Sequence, residues 1–193
     1  MLHYILHTLE YASCVDRIIV NTDAENVEHY AKQFSKVLIH ERPEHLCGHT
    51  VPMNRILAHD LSLLDGTDFL QTHVTNPLLS ARTVERALEA YFSRLKEHDT
   101  LFSVVAHQNR FFNHEHVPIN HDPRVLLNTQ DLPLLYEENS CLYIFSREAF
   151  AAADNNRLGL NPLLFIMDKV ESLDIDTEED FRMAELAWKA RNE

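Results

Sequence analysis

At 193 residues the chain is long enough for one sizeable hydrophobic core. Its 17 basic against 30 acidic side chains give a net charge of -13, which excludes a broad nucleic-acid surface, because such surfaces neutralise phosphates with Lys and Arg. No run approaches the roughly 18 consecutive apolar residues of a membrane span, the N-terminus lacks the basic and apolar regions of a signal peptide, and Cys14, Cys47 and Cys141 have no close metal-ligand spacing, so a cytoplasmic protein with free thiols is expected.

The apolar residues Leu2, Ile5, Leu6, Leu9 and Ala12 recur at helical spacing, and the short apolar run from Arg17 to Val20 then reads as a buried strand ending in Asn21-Thr22-Asp23. Val27, Tyr30, Ala31 and Phe34 predict a second helix, residues 36–40 a second strand, and Glu41-Arg42-Pro43 stops it. A third helix carries Met53, Ile56, Leu57, Leu61 and Leu64. After Asp65-Gly66 the spacing predicts a strand over 68–72 and a turn over 74–78. The helix from Ala81 to Lys96 has the most continuous apolar face, formed by Val84, Ala87, Leu88, Tyr91, Phe92 and Leu95. Strands follow at 101–105, 142–145 and 163–166, with a short helix over 147–153 and a last helix bearing Phe181, Ala184 and Trp188 as its expected buried stripe.

This alternation implies βαβ units: an α/β fold with a mostly parallel sheet flanked by helices on both faces. Ligands in such sheets bind beyond the carboxyl ends of strands, so Asn21 to Asp23, Arg42 and Thr75 to Pro77 are expected along one edge. Residues 107–135 interrupt the pattern, being rich in His, Asn, Pro and Arg without any period, and a segment of that length inside a compact domain is expected to serve function or oligomerisation.

Ser172 to Phe181 carries two readings. In an extended segment Asp174 and Asp176 project to the same face and can share one hard cation. Equally, Asp176 or Thr177 can cap the following helix, with Asp180 three residues after Thr177. With only three glycines there is no Gly-rich phosphate loop, and none of the 13 histidines, including those of His114-Glu115-His116, falls into a convincing zinc motif.

Several stretches then occur in one order: Ile19-Val-Asn-Thr-Asp23, Arg42-Pro43, Thr75-Asn-Pro-Leu78, Thr129-Gln-Asp-Leu-Pro133, Glu138-Asn-Ser-Cys-Leu-Tyr143 and Asp174-Ile-Asp-Thr177. Together they resemble the acylneuraminate cytidylyltransferases, which activate sialic-acid-type nonulosonates, and the related 3-deoxy-octulosonate enzymes. The resemblance covers essentially the whole chain. It implies a Rossmann-like nucleotidyltransferase of the nucleotide-diphospho-sugar transferase type. In the implied reaction the anomeric hydroxyl of a sugar acid attacks the α-phosphate of CTP, releasing pyrophosphate with Mg²⁺. It assigns Asp174 and Asp176 to catalysis and metal binding, Arg42 to a nucleotide phosphate, Thr75 and Asn76 to the junction of nucleotide and sugar, and Asn139 and Tyr143 to the sugar site. Gln130 falls in a dimerisation arm that reaches a partner's sugar site, so a homodimer through residues 107–135 is implied, and Arg110 and Arg124 of this arm are candidates for a sugar carboxylate.

The chain departs from the family in lacking its opening strand and its Pro-Ala-Arg-x-Gly-Ser-Lys loop. That strand would lie between those at 18–20 and 69–71, so two strand edges are expected to be unpaired. Two explanations stay open: Met1 is internal to a longer enzyme, or the chain is an inactive truncated relative that binds sugar or dimerises. His73, Val74, Asn76 and Ser140 also replace the family's usual residues, which bears on the sugar accepted.

Overall fold

The computed structural model describes residues 1–24 and 26–192. Helices α1 (Leu2–Tyr11), α2 (Val27–Ala31), α3 (Met53–Leu63), α4 (Ala81–Ser93), α5 (Arg147–Ala152) and α6 (Glu178–Asn192) alternate with strands β1 (Ile18–Thr22), β2 (Val37–Glu41), β3 (Asp68–Gln71), β4 (Thr100–His107), β5 (Leu135–Ser146) and β6 (Pro162–Ile166). The α/β class expected from the alternation is the one observed.

β5 explains why the molecule has helices on both faces. Cys141 to Phe145 are all fully buried, although alternate side chains of a strand point in opposite directions. Leu142 and Ile144 pack with Ile5, Leu6 and Leu9 of α1 and Val84, Ala87 and Tyr91 of α4. Tyr143 and Phe145 pack on the other face with Leu61 and Phe150. A strand covered on both sides reads as an unbroken apolar run, which is why only residues 142–145 of β5 carried a strand signal. The segment before it, Leu135–Ser140, holds exposed Glu137 and Glu138 and is invisible to that criterion.

The strands pair in the order β3-β5-β4-β6, with β4 and β6 parallel and β5 antiparallel to both β3 and β4. β1 and β2 form a separate parallel pair in which Ile18 faces Val37 and Asn21 faces His40. Among the described residues no strand pairs with the second edge of β1 or of β3. The two sheets nevertheless share one core, since Ile18 and Val20 of β1 and Leu70 of β3 belong to the cluster around Leu142.

α4 follows its sequence pattern at its start, where Ser80 caps it by accepting from the Thr83 N–H at 3.2 Å and Val84, Ala87 and Tyr91 are buried, but it ends at Ser93 and leaves Phe92 and Leu95 about half exposed. α6 does not follow its pattern. Ala184 is buried, but Phe181 and Trp188 stay 46% and 40% exposed, because the helix lies at the periphery, where its apolar face borders Met1, Tyr4, Pro77, Leu78 and Ile175. Trp188 stacks edge-on against Tyr4 at 5.8 Å.

Residues 108–134 leave the antiparallel β4–β5 pair as an arm containing a 3₁₀ turn over Thr129–Asp131 and an isolated bridge from Phe112 to Pro118. Most of its apolar side chains face outward, Leu126 being 93% exposed and Phe112 and Ile119 more than half, while Leu132 is buried. No described helix is long and apolar enough to cross a membrane, and the three cysteines are free thiols, with burial pushing Cys141 up to about 12.

Candidate active site

Two carboxylates define the site. Residues 173–176 run extended beside the turn after β3: the Ile175 N–H donates to the Thr75 carbonyl at 2.9 Å, and Asn76 Nδ2 donates to the Leu173 carbonyl at 3.2 Å. The Asn76 side chain is fully buried; its Nδ2 anchors this segment from beneath, while its Oδ1 has no hydrogen-bond partner. Thr75 contributes its backbone to the same clip.

Clipped in this way, Asp174 and Asp176 border a cleft of about 400 Å³ whose other walls include Glu137, Glu138, Lys169 and His107. Asp174 Oδ1 is buried with no hydrogen-bond partner. A carboxylate oxygen left that way costs free energy unless something outside the chain satisfies it, and a hard cation is the natural group. The helix-capping role falls to other residues: Thr177 Oγ1 accepts from the Asp180 N–H at 3.2 Å, and Asp180 Oδ2 accepts from the Thr177 N–H at 2.8 Å and from its hydroxyl at 2.7 Å. These bonds hold the Asp180 carboxyl below its ordinary value. Both readings of the segment are therefore accommodated, and the Asp176 carboxylate has no described side-chain partner. No group of three or more His, Cys, Asp or Glu able to hold a metal occurs among the described residues. Asp174 and Asp176 are the residues that would hold a hard cation here, with water and ligand oxygens left to supply the remaining ligands, as Mg²⁺ commonly requires.

Asn139 reaches the cleft from β5. Its Oδ1 accepts from Ser103 Oγ at 2.6 Å and from the Cys141 N–H at 3.1 Å, while its buried Nδ2 is unpartnered. Ser103 also accepts from the Leu142 N–H at 2.8 Å, filling the register break between Phe102 and Val104. Opposite this bulge Ser140 has φ of 56°, a left-handed conformation that glycine adopts freely and serine does not. Ser140→Gly is therefore expected to stabilise the protein by about 1 kcal/mol, or roughly 2–4 °C in melting temperature, readable by calorimetry.

Tyr143 is fully buried and does not line the cleft itself. Its hydroxyl donates to Glu138, with Ser140 Oγ at 3.3 Å, and burial followed by the Glu138 bond raises its pKa. Over its ring, at 3.6 Å, lies the Arg157 guanidinium, whose Nη1 donates to Gln71 Oε1 at 2.5 Å. Gln71 in turn pairs its Nε2 with His73 Nε2 at 2.8 Å. Burial and the nearby Arg157 hold the His73 imidazole below its ordinary value, with Asp174 pulling the other way. Arg157, Gln71 and Lys169 were not recognised in the sequence, since Arg157 and Lys169 sit in irregular segments and Gln71 reads simply as the end of a strand; Glu138 was quoted only as the start of its motif.

Arg42 lies at the end of β2, beside Asn21 at the end of β1, as the strand ends required. Gln130 is not part of the cleft of its own chain; its carbonyl accepts from Gln108 Nε2 at 2.7 Å within the arm. Arg124 is paired to Asp122 at 2.8 Å and Arg110 donates to the Leu127 carbonyl, so both are engaged inside the arm.

A sequence profile of the family described as Cytidylyltransferase matches residues 1–185. The post-translational flagellin modification protein B of Campylobacter coli is 25% identical over 206 aligned residues, covering 100% of this chain and 85% of that protein. A CMP-N,N'-diacetyllegionaminic acid synthase of Campylobacter jejuni is 35% identical over 63 residues, 33% of this chain and 26% of that one. Among solved structures, a CMP:2-keto-3-deoxy-manno-octonic acid synthetase complexed with CTP superimposes with a TM-score of 0.65 at 14% identity, over 97% of this chain and 88% of that chain.

Proposed function

Because the chain belongs to the cytidylyltransferase family, we propose that it transfers CMP from CTP to a nonulosonic, sialic-acid-type sugar, with Mg²⁺ held by Asp174 and Asp176. The observation that carries this reading is the pair of carboxylates at one cleft, one of them with a buried, unpartnered oxygen. The anomeric hydroxyl oxygen forms a bond to the α-phosphorus of CTP, the bond from that phosphorus to the bridging oxygen breaks, pyrophosphate leaves, and the hydroxyl proton passes to a base or solvent. Both reactants are anions, and the cleft carries Glu137, Glu138, Asp174 and Asp176 against Lys169. Without a cation their approach is repulsive, so a divalent ion is needed to neutralise charge and align the phosphates. The relatives named for flagellin modification and for a legionaminic acid support a sugar of this class.

The test is pyrophosphate release from CTP with sialic acid and related sugar acids in the presence of Mg²⁺, using the 193-residue chain and a form extended upstream. Turnover by either form with a nonulosonate supports the reading; turnover only with an unrelated alcohol replaces the sugar class. A second reading, a non-catalytic sugar-binding or dimerisation module, is favoured by the unpaired edges of β1 and β3. Saturable sugar binding without turnover by either form would support it.

The homodimer belongs to the same proposal. Phe112, Ile119 and Leu126 present apolar surface on a segment that leaves the body of the fold, and covering such a patch with a second copy removes it from water. Gln130 then reaches the cleft of the partner copy. Light scattering at micromolar concentration is expected to give twice the mass of 22.4 kDa, and Leu126→Glu is expected to halve it.

A further inference from the structure

Asp60 is a buried carboxylate on α3, a position where an isolated charge is costly unless it is held by hydrogen bonds. Its Oδ1 accepts from Asn21 Nδ2 at 2.8 Å and lies 3.0 Å from His40 Nδ1 and 4.0 Å from His59 Nδ1. The bond to Asn21 fixes which way that amide faces. With Nδ2 committed to Asp60, Asn21 Oδ1 is turned to accept from Arg42 Nε at 2.6 Å, and the Asn21 carbonyl accepts from Arg42 Nη2 at 3.0 Å. One edge of the guanidinium is thus immobilised, while Nη1 makes no hydrogen bond among the described residues.

We infer that Asp60 is a positioning residue for nucleotide binding, which acts through Asn21 to present the free edge of the Arg42 guanidinium to a triphosphate. The inference rests on the reading of Arg42 as a phosphate-binding residue. Arg is suited to this task because its planar fork can hold one acceptor with one edge and a second with the other. A wandering guanidinium would lose part of its binding energy to its own ordering, and fixing it beforehand removes that cost. Asp60, Asn21 and Arg42 come from three separate elements, α3, β1 and the end of β2, so the relay exists only in the folded chain.

Calorimetric titration of CTP at fixed Mg²⁺ tests this. Arg42→Ala is expected to weaken CTP binding by about tenfold or more, and Asp60→Ala by about fivefold. The two losses should not add: on the Arg42→Ala background, Asp60→Ala should change the affinity less than about twofold. Asp60→Asn, which keeps an acceptor for Asn21, should stay within about twofold of the native protein. Full additivity in the double variant, or native affinity in Asp60→Ala, would overturn the relay while leaving Arg42 in its role. Native affinity in Arg42→Ala would overturn the reading of Arg42 and the relay with it. Should Asp60→Ala not fold, Asn21→Ala, half-buried at the end of β1, carries the same expectations of loss and non-additivity.

Discussion

Asp176→Ala is expected to lower Mg²⁺-dependent pyrophosphate release by about a hundredfold to a thousandfold or more while leaving the melting temperature nearly unchanged. The separation of the two effects follows from the geometry. The Asp176 side chain is exposed and supports nothing in the fold. Its N–H donates to Asp180 Oδ2 at 3.3 Å, a bond that alanine keeps, and the cap of α6 is made by Thr177 and Asp180. Under the proposed function, alanine removes one of two anionic ligands for a cation whose charge would bring two anions together. Near-normal turnover would remove Asp176 from the metal site. Asp174 gives the complementary signature. Since its Oδ1 is buried and unpartnered, the metal-free protein pays a desolvation cost for it. Saturating Mg²⁺ should therefore raise the melting temperature of the native protein, and Asp174→Ala should abolish that rise.

The largest effect on stability is expected at Gly159, where alanine should cost about 3 kcal/mol or more, roughly 6–12 °C in melting temperature. Gly159 has φ of 67°, and a Cβ built there would lie 2.4 Å from Thr100 Cγ2 and 2.7 Å from Asp99 Oδ1. Neither neighbour is free to give way. Thr100 is fully buried and donates to the Leu158 carbonyl at 2.6 Å, while Asp99 accepts from the N–H groups of Leu160 and Asn161 at 2.7 and 2.9 Å. The loop so held carries Arg157 onto Tyr143, so Gly159→Ala should also lower affinity for the sugar when assayed below its melting temperature. A melting temperature within about 2 °C of native would show that this loop yields, against its close packing.

Some of this architecture is legible in the residues because it obeys local rules. α1 and α4 bury one stripe each, and a period of 3.6 in a linear string records that burial. The Thr177 to Asp180 cap is likewise written at a fixed spacing and formed as read. The motif Asp174-Ile175-Asp176 was visible as two carboxylates on one face of an extended segment. α6 was misjudged because a stripe of apolar residues states what a helix can bury, not whether a neighbour stands opposite; Trp188 remains 40% exposed beside the edge of Tyr4. The first half of β5 was missed because its exposed Glu137 and Glu138 follow no strand pattern and Ser140 turns the backbone left-handed.

By itself the amino-acid sequence determined the α/β alternation, the length and composition of the arm, and membership of the cytidylyltransferase family. Only the tertiary structure decided which polar side chains are buried and which line the cleft. Asn76 and Tyr143 carry the right chemistry for a binding site but are fully buried, and they hold the Leu173 carbonyl and Glu138 in place. Arg157, Gln71 and Asp60, which carried no signal, became parts of the site or its support. The physical reason is that periodicity and capping are short-range properties, set by neighbours within a turn or a strand. Burial of a polar group and the partner that satisfies it are instead set by chain segments far apart in sequence, such as Asn21 against Asp60 and Asn76 against Leu173.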